Sequence, residues 1–79
     1  MIKEPGTFKL LGNNERMKIL KLLKERKRNV TEIVKELHIK QPLVSYHLTK
    51  MRKAGLIKSE RNGKSNIYTI ENQDLLEVV

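Results

Sequence analysis

The sequence predicts an α+β, mainly helical fold: helices, two of them joined by a tight turn, followed by a two-stranded β-hairpin. Two stretches carry the prediction. Thr31–Leu56, TEIVKELHIKQPLVSYHLTKMRKAGL, reads as two short helices with a turn between them, and the second has a polar, basic outer face. Leu56–Arg61 and Ser65–Ile70 then read as β-prone runs around Asn62-Gly63, a strong two-residue hairpin signal. A third observation concerns charge: seventeen Lys and Arg stand against nine Asp and Glu, for a net charge of +8.

At 79 residues the chain makes one domain, 1–79, with room for a single modest core. Phe8, Tyr46 and Tyr68 are its only aromatics, so aliphatic side chains must form most of that core. With no cysteine, disulfides and thiolate metal sites are excluded. The charge is unevenly placed. Lys40–Lys64 holds seven basic residues and the single acid Glu60, whereas Glu71–Val79 holds three acids and no base. So basic a segment favours a polyanionic partner, either nucleic acid or an acidic membrane surface, over a merely solvated face. No apolar run approaches the roughly 18–20 residues that span a bilayer, and no signal-peptide pattern opens the chain. A soluble, cytoplasmic protein is expected.

In order along the chain, Met1–Gly6 lacks periodicity and ends in the breaker Pro5-Gly6, so a loose arm is expected over 1–6. Thr7 suits the cap of a short helical turn with Phe8, Leu10 and Leu11, closed by Gly12. Asn13 fits the cap of a longer helix with Glu15 in its first turn. Met17, Ile19, Leu20, Leu22 and Leu23 form its apolar stripe, and Lys18, Lys21 and Lys24 lie off it. The charged run Lys24–Asn29 ends this helix.

The helix-turn-helix proper is expected over 31–55. Val30 reads as a lone strand residue and Thr31 as the N-cap of a helix with Ile33, Val34 and Leu37 inward. His38 falls where the chain must turn, often at positive φ, which His tolerates better than a branched residue. The next helix starts at Gln41-Pro42, with Pro well suited to a first turn. Taking Val44 as the inner reference, Leu48 and Met51 fall inward, and His47 and Ala54 flank the core. Ser45, Thr49, Pro42, Lys53, Tyr46 and Lys50 spread from about 100° to about 240°, the outer face. Gly55 closes the helix. The hairpin over 56–70 has a basic tip, Arg61-Asn62-Gly63-Lys64-Ser65, and the short segment 71–79 adds one or two helical turns after an Asn72 cap. Its acidic, apolar character suits packing against another surface.

Helices followed by such a hairpin make a winged helix-turn-helix, and its parts divide the work of reading DNA. Gln41, Ser45 and Tyr46, early on the outer face, can meet base edges: Gln pairs bidentately with adenine, Ser donates or accepts, and Tyr offers a ring and a hydroxyl. Thr49 and Lys50 lie where the helix passes the backbone, and Lys58, Arg61 and Lys64 would set the wing on phosphates or a minor groove. His47 has the angle of a packed, hydrogen-bonded histidine, and His38 that of a turn residue. With only two histidines, no phosphate-binding glycine loop and no nucleophile beside a base, the sequence predicts no enzyme, no cofactor and no metal site.

Three segments, LGNNERMKILKLL, VTEIVKELHIKQPLVSYHLTKMRKAGLI and KSERNGKSNIYTI, resemble the ArsR-type (arsenic-repressor-like) winged-helix regulators. The resemblance runs from Leu11 to Ile70 and implies a homodimeric repressor reading a palindromic double-stranded operator. It implies that Gln41, Pro42, Ser45 and Tyr46 occupy base-reading positions. Metal-sensing members of that family carry cysteines on the first helix of the motif or Asp and His ligands on a long C-terminal helix. VTEIVKEL has no cysteine, and the chain to Val79 is expected to stop short of such a helix, so metal sensing is not carried over. Phe8, Leu10, Leu11, Leu75, Leu76 and Val79 are the candidates for a dimer interface. Two other uses of the fold compete: a protein-interaction module whose positive face meets an acidic protein, and a nucleic-acid binder without sequence preference.

Overall fold

The computed structural model describes residues 11–77. The arm expected over 1–6, the cap at Thr7 and the apolar positions Phe8, Leu10 and Val79 lie outside them. Among the described residues three complete helices, α1 (Asn14–Glu25), α2 (Val30–Leu37) and α3 (Gln41–Lys53), come before a hairpin of β2 (Ile57–Asn62) and β3 (Ser65–Ile70). A two-residue strand β1 (Arg28–Asn29) sits between α1 and α2, and a 3₁₀ turn, Gln73–Glu77, follows the hairpin. The sheet is antiparallel with order β1-β3-β2, so the expected hairpin acquires a third strand.

Helix α1 begins as its sequence predicts: Asn13 Oδ1 accepts from the Arg16 backbone N–H at 3.0 Å, and Glu15 lies in the first turn. Ile19, Leu20 and Leu23 are buried from it into the core. The start of α2 differs from expectation. Asn29, not Thr31, is the N-cap, and Val30 is helical instead of a strand residue. Asn29 Oδ1 accepts from the Glu32 N–H at 2.8 Å, while Glu32 Oε1 accepts from the Asn29 N–H at 2.9 Å. This reciprocal capping box satisfies two donors where a cap at Thr31 would satisfy one. The strand residues therefore fall one step earlier, where Arg28 pairs with Tyr68 and Asn29 with Ile67.

His38 closes α2 at φ 56°, in the left-handed region expected of it, with its N–H on the Val34 carbonyl. Helix α3 has Pro42 in its first turn and no side-chain cap, Lys40 standing at the cap position. It buries Val44, His47, Leu48 and Met51. Ala54, expected beside the core, is exposed, because it lies one residue past the end of the helix. Gly55, at φ 78°, turns the chain so that the Leu56 N–H reaches the Met51 carbonyl and its own N–H reaches Arg52. That pair of bonds is the Schellman closure, and it returns Leu56 to the core.

The hairpin register places Asn62 opposite Ser65, so the two turn residues are Gly63-Lys64 and not the expected Asn62-Gly63. Gly63 has φ 64° and Lys64 does not have a positive φ. Glycine at the first central position is the type II′ pattern, whose twist matches the strands it joins. After the hairpin, Asn72 Oδ1 accepts from the Asp74 N–H and starts the 3₁₀ turn that buries Leu75. Leu11 and Leu75, expected in a dimer interface, are instead in the core of their own chain, whereas Leu76 is exposed.

The strand β1 is fastened by Arg28, whose side chain is only 4% exposed. Its Nε and Nη2 donate to the two carboxylate oxygens of Glu36 at 2.6 and 3.2 Å, and its Nη1 donates to the carbonyls of Leu22 and Arg26. One guanidinium thus ties the end of α1, the strand and the far end of α2 together. The Arg28 hydrogen bond holds the Glu36 carboxyl below its ordinary range, and the Asn29 N–H does the same for Glu32. Both groups therefore stabilise the fold fully above the ordinary carboxylate value of about 4.5, and that stabilisation is lost as the pH falls toward their lower folded values. Thermal melts at decreasing pH should show the midpoint falling below about pH 4.5, with a shallower fall in Glu36→Gln. An equally steep fall in that variant would put the acid sensitivity elsewhere.

Candidate nucleic-acid interface

The capped end of α2 and the Schellman closure of α3 fix one long face of α3 toward solvent. On it Gln41, Pro42, Thr49 and Lys50 are exposed, Ser45 is half-buried, and Tyr46 is 50% exposed. The expected outer face is thus the solvent face, with Ser45 at its margin. The Lys50 ammonium lies 5.4 Å from the centroid of the Tyr46 ring, within reach of a cation–π attraction. This holds the ring on the helix surface while leaving half of it free. Helix α3 contains no acidic residue, and Lys40 at its cap and Arg52 and Lys53 at its end are exposed, as Lys50 is. No carboxylate of α3 itself offsets the positive field of these side chains.

The wing residues do not form one group. Arg61 and Lys64 are together at the tip, where Arg61 Nε donates to the Gly63 carbonyl at 3.0 Å and braces the turn. Lys58 is three residues back on β2, and alternation along a strand puts it on the opposite face from Arg61. Its Nζ is 3.8 Å from carboxylate oxygens of both Glu60 and Glu71. A phosphate at Lys58 would compete with those two carboxylates, whereas among the described residues no carboxylate pairs with Arg61 or Lys64.

The inner side of α3 explains how the outer side is held. His47 is 3% exposed. Its Nδ1 accepts from Arg16 Nε at 3.0 Å, and its Nε2 lies 3.0 Å from Glu15 Oε1. Arginine can only donate, so in the neutral ring Nδ1 is the bare nitrogen and the proton on Nε2 points to the carboxylate. The packed, hydrogen-bonded histidine that the helical angle predicts is present. Its partners could not be read locally: Glu15 and Arg16 lie on α1, more than thirty residues earlier. Two residues of α1 thereby hold α3 from its inner side. Among the described residues, no group of three His, Cys, Asp or Glu side chains is placed to hold a metal ion. No helix among them is long and apolar enough to cross a membrane.

Comparison with known proteins agrees with this geometry. Residues 13–59 match the family described as bacterial regulatory protein, arsR family. An HTH-type transcriptional regulator of Methanocaldococcus jannaschii is 38% identical over 78 residues, covering 98% of this chain and 88% of that protein. The HTH-type transcriptional repressor SmtB of Mycobacterium tuberculosis is 39% identical over 64 residues, which are 81% of this chain but only 47% of SmtB, so this chain spans about half of it. Among solved structures, the homodimeric winged helix-turn-helix DNA-binding domain from Mycobacterium bovis superposes with a TM-score of 0.85 at 27% identity, covering 92% of this chain and 68% of that one.

Proposed function

The chain belongs to the arsR family of bacterial regulatory proteins, and from that premise we propose that it represses transcription as a homodimer bound to a palindromic DNA operator. It is a winged helix-turn-helix transcriptional regulator and not an enzyme. The observation that carries the proposal is the acid-free, exposed face of α3, flanked by lysines and backed by the basic tip of the wing. Repression is supported by the name of SmtB, and pairing of two copies by the homodimeric domain from Mycobacterium bovis. The place of action would be the cytoplasm, at the nucleoid.

In this reading Gln41, Pro42, Ser45 and Tyr46 lie against base edges in the major groove. Thr49, Lys50, Arg61 and Lys64 lie against phosphates, with Lys58 as a weaker contact. A two-fold dimer would set two α3 helices about 34 Å apart, one turn of DNA. Selection of bound duplexes from a random pool tests the reading, and an inverted repeat should emerge. If no duplex is favoured over tRNA or heparin, sequence-specific regulation fails, and the protein-interaction module or the indiscriminate binder takes its place.

The two groups of side chains should then separate on the selected duplex. Gln41→Ala and Ser45→Ala should each relax preference at one position per half-site, at about 1–3 kcal/mol for each base no longer read. Arg61→Ala and Lys64→Ala should weaken all duplexes alike and reduce the salt slope by about one for each phosphate left unneutralised. Gel-shift titrations on matched and mismatched duplexes distinguish these patterns, and the same pattern from all four variants would refute the division.

A further inference from the structure

Two of the three large hydrophobic side chains that are exposed among the described residues, Leu43 at 38% and Tyr46 at 50%, lie on α3. They are three residues apart in the helix, so they are neighbours on its surface, and Pro42, also exposed, is four residues before Tyr46. Together they make a small apolar ridge on the first turns of a helix whose other exposed side chains are polar or basic. A leucine on a protein surface is ordinary by itself. This one sits where water must leave if α3 enters a groove, with Lys40 just before it and Lys50 over the Tyr46 ring.

The partner that covers such a ridge must be apolar at one point and anionic all round it. An acidic protein could offer carboxylates and a methyl group in many arrangements. A DNA major groove offers one apolar group among phosphates, the C5-methyl of thymine. We propose that Leu43, braced by Pro42 and Tyr46, reads a thymine methyl in each half of the operator. It is therefore a specificity-determining residue beside the hydrogen-bonding Gln41 and Ser45. Hydrogen bonds alone cannot detect that methyl, because thymine and uracil present the same O4 acceptor in the groove.

This inference rests on the DNA-binding reading, and the two can fail separately. If selection from the random pool yields no preferred duplex, the functional reading falls. With a selected duplex in hand, each thymine is replaced in turn by deoxyuridine, which removes only the methyl group. The wild-type chain should lose affinity roughly three- to fivefold at one position per half-site, as burial of one methyl predicts, and little elsewhere. Leu43→Ala should bind the thymine duplex more weakly and be indifferent to deoxyuridine at that position. Circular dichroism should show the variant folded, because Leu43 lies outside the buried core. If deoxyuridine is tolerated at every position, no methyl is read and the proposal is overturned. If Leu43→Ala still loses the same factor at the sensitive position, the methyl is read by another side chain and the assignment to Leu43 is overturned.

Discussion

Arg28→Ala should destabilise the domain by about 3 kcal/mol, a large share of the roughly 5–15 kcal/mol that holds a small domain folded. The reasoning begins with burial. The guanidinium is almost wholly covered, yet it donates to a carboxylate on α2 and to two backbone carbonyls at the end of α1. Alanine would remove every one of those donors and leave the Leu22 and Arg26 carbonyls to find water. Glu36 is partly exposed, so its carboxylate would be rehydrated, which keeps the cost at the lower end of the range for breaking a buried pair. Denaturant unfolding should show a lower midpoint with an unchanged slope. A loss below about 1 kcal/mol would reduce the clamp to an ordinary surface pair. Arg28→Lys should recover little, because an ammonium cannot bond both oxygens of Glu36 and two carbonyls at once.

Salt should have the largest effect on DNA binding. Lys40, Lys50, Lys53, Arg61 and Lys64 give five exposed cations per chain on or beside the proposed interface. A dimer that neutralises only about six phosphates with them would lose roughly a thousandfold in affinity between 50 and 200 mM salt. Two fully engaged copies would have a log–log slope near −9, and a single copy a slope about half as steep. Fluorescence anisotropy at four or five salt concentrations measures the slope and thereby counts the bound chains. A slope shallower than about −2 would contradict an interface built on these residues.

Much of this architecture could be read from the sequence because the signals were local and redundant. Asn13, Pro42 and Gly55 each mark a helix end through their own backbone preferences, and each stands where those preferences place it. The angular position of His47 was sufficient to put it inside. The misreadings came where two signals competed over one or two residues. Asn29 closed a run of charges and so looked like the end of one helix, although with Glu32 it caps the next. Strand β1, two residues long, is too short to show alternation, and only its pairing with Tyr68 and Ile67 defines it. Asn62-Gly63 satisfied one turn type, but the register chose another that uses the same glycine. Leu75 had the pattern of an apolar surface turn, and nothing nearby in sequence showed that it would fold back on the core. Nothing in the local pattern around Leu43 showed that this leucine would be 38% exposed beside Tyr46.

The bonds from Glu15 and Arg16 to the two nitrogens of His47 have a geometric consequence for the opposite side of α3. Aliphatic contacts alone supply no directional bond that fixes the angle of a helix about its axis. A roll of about 20° would carry a side-chain tip, some 5 Å from the axis, through roughly 2 Å. That exceeds the tolerance of a bidentate hydrogen bond to a base. Directional bonds at both imidazole nitrogens, each 3.0 Å long, oppose such a roll. In the proposed DNA-bound state, the rotational phase of the outer face of α3 would therefore be set from α1.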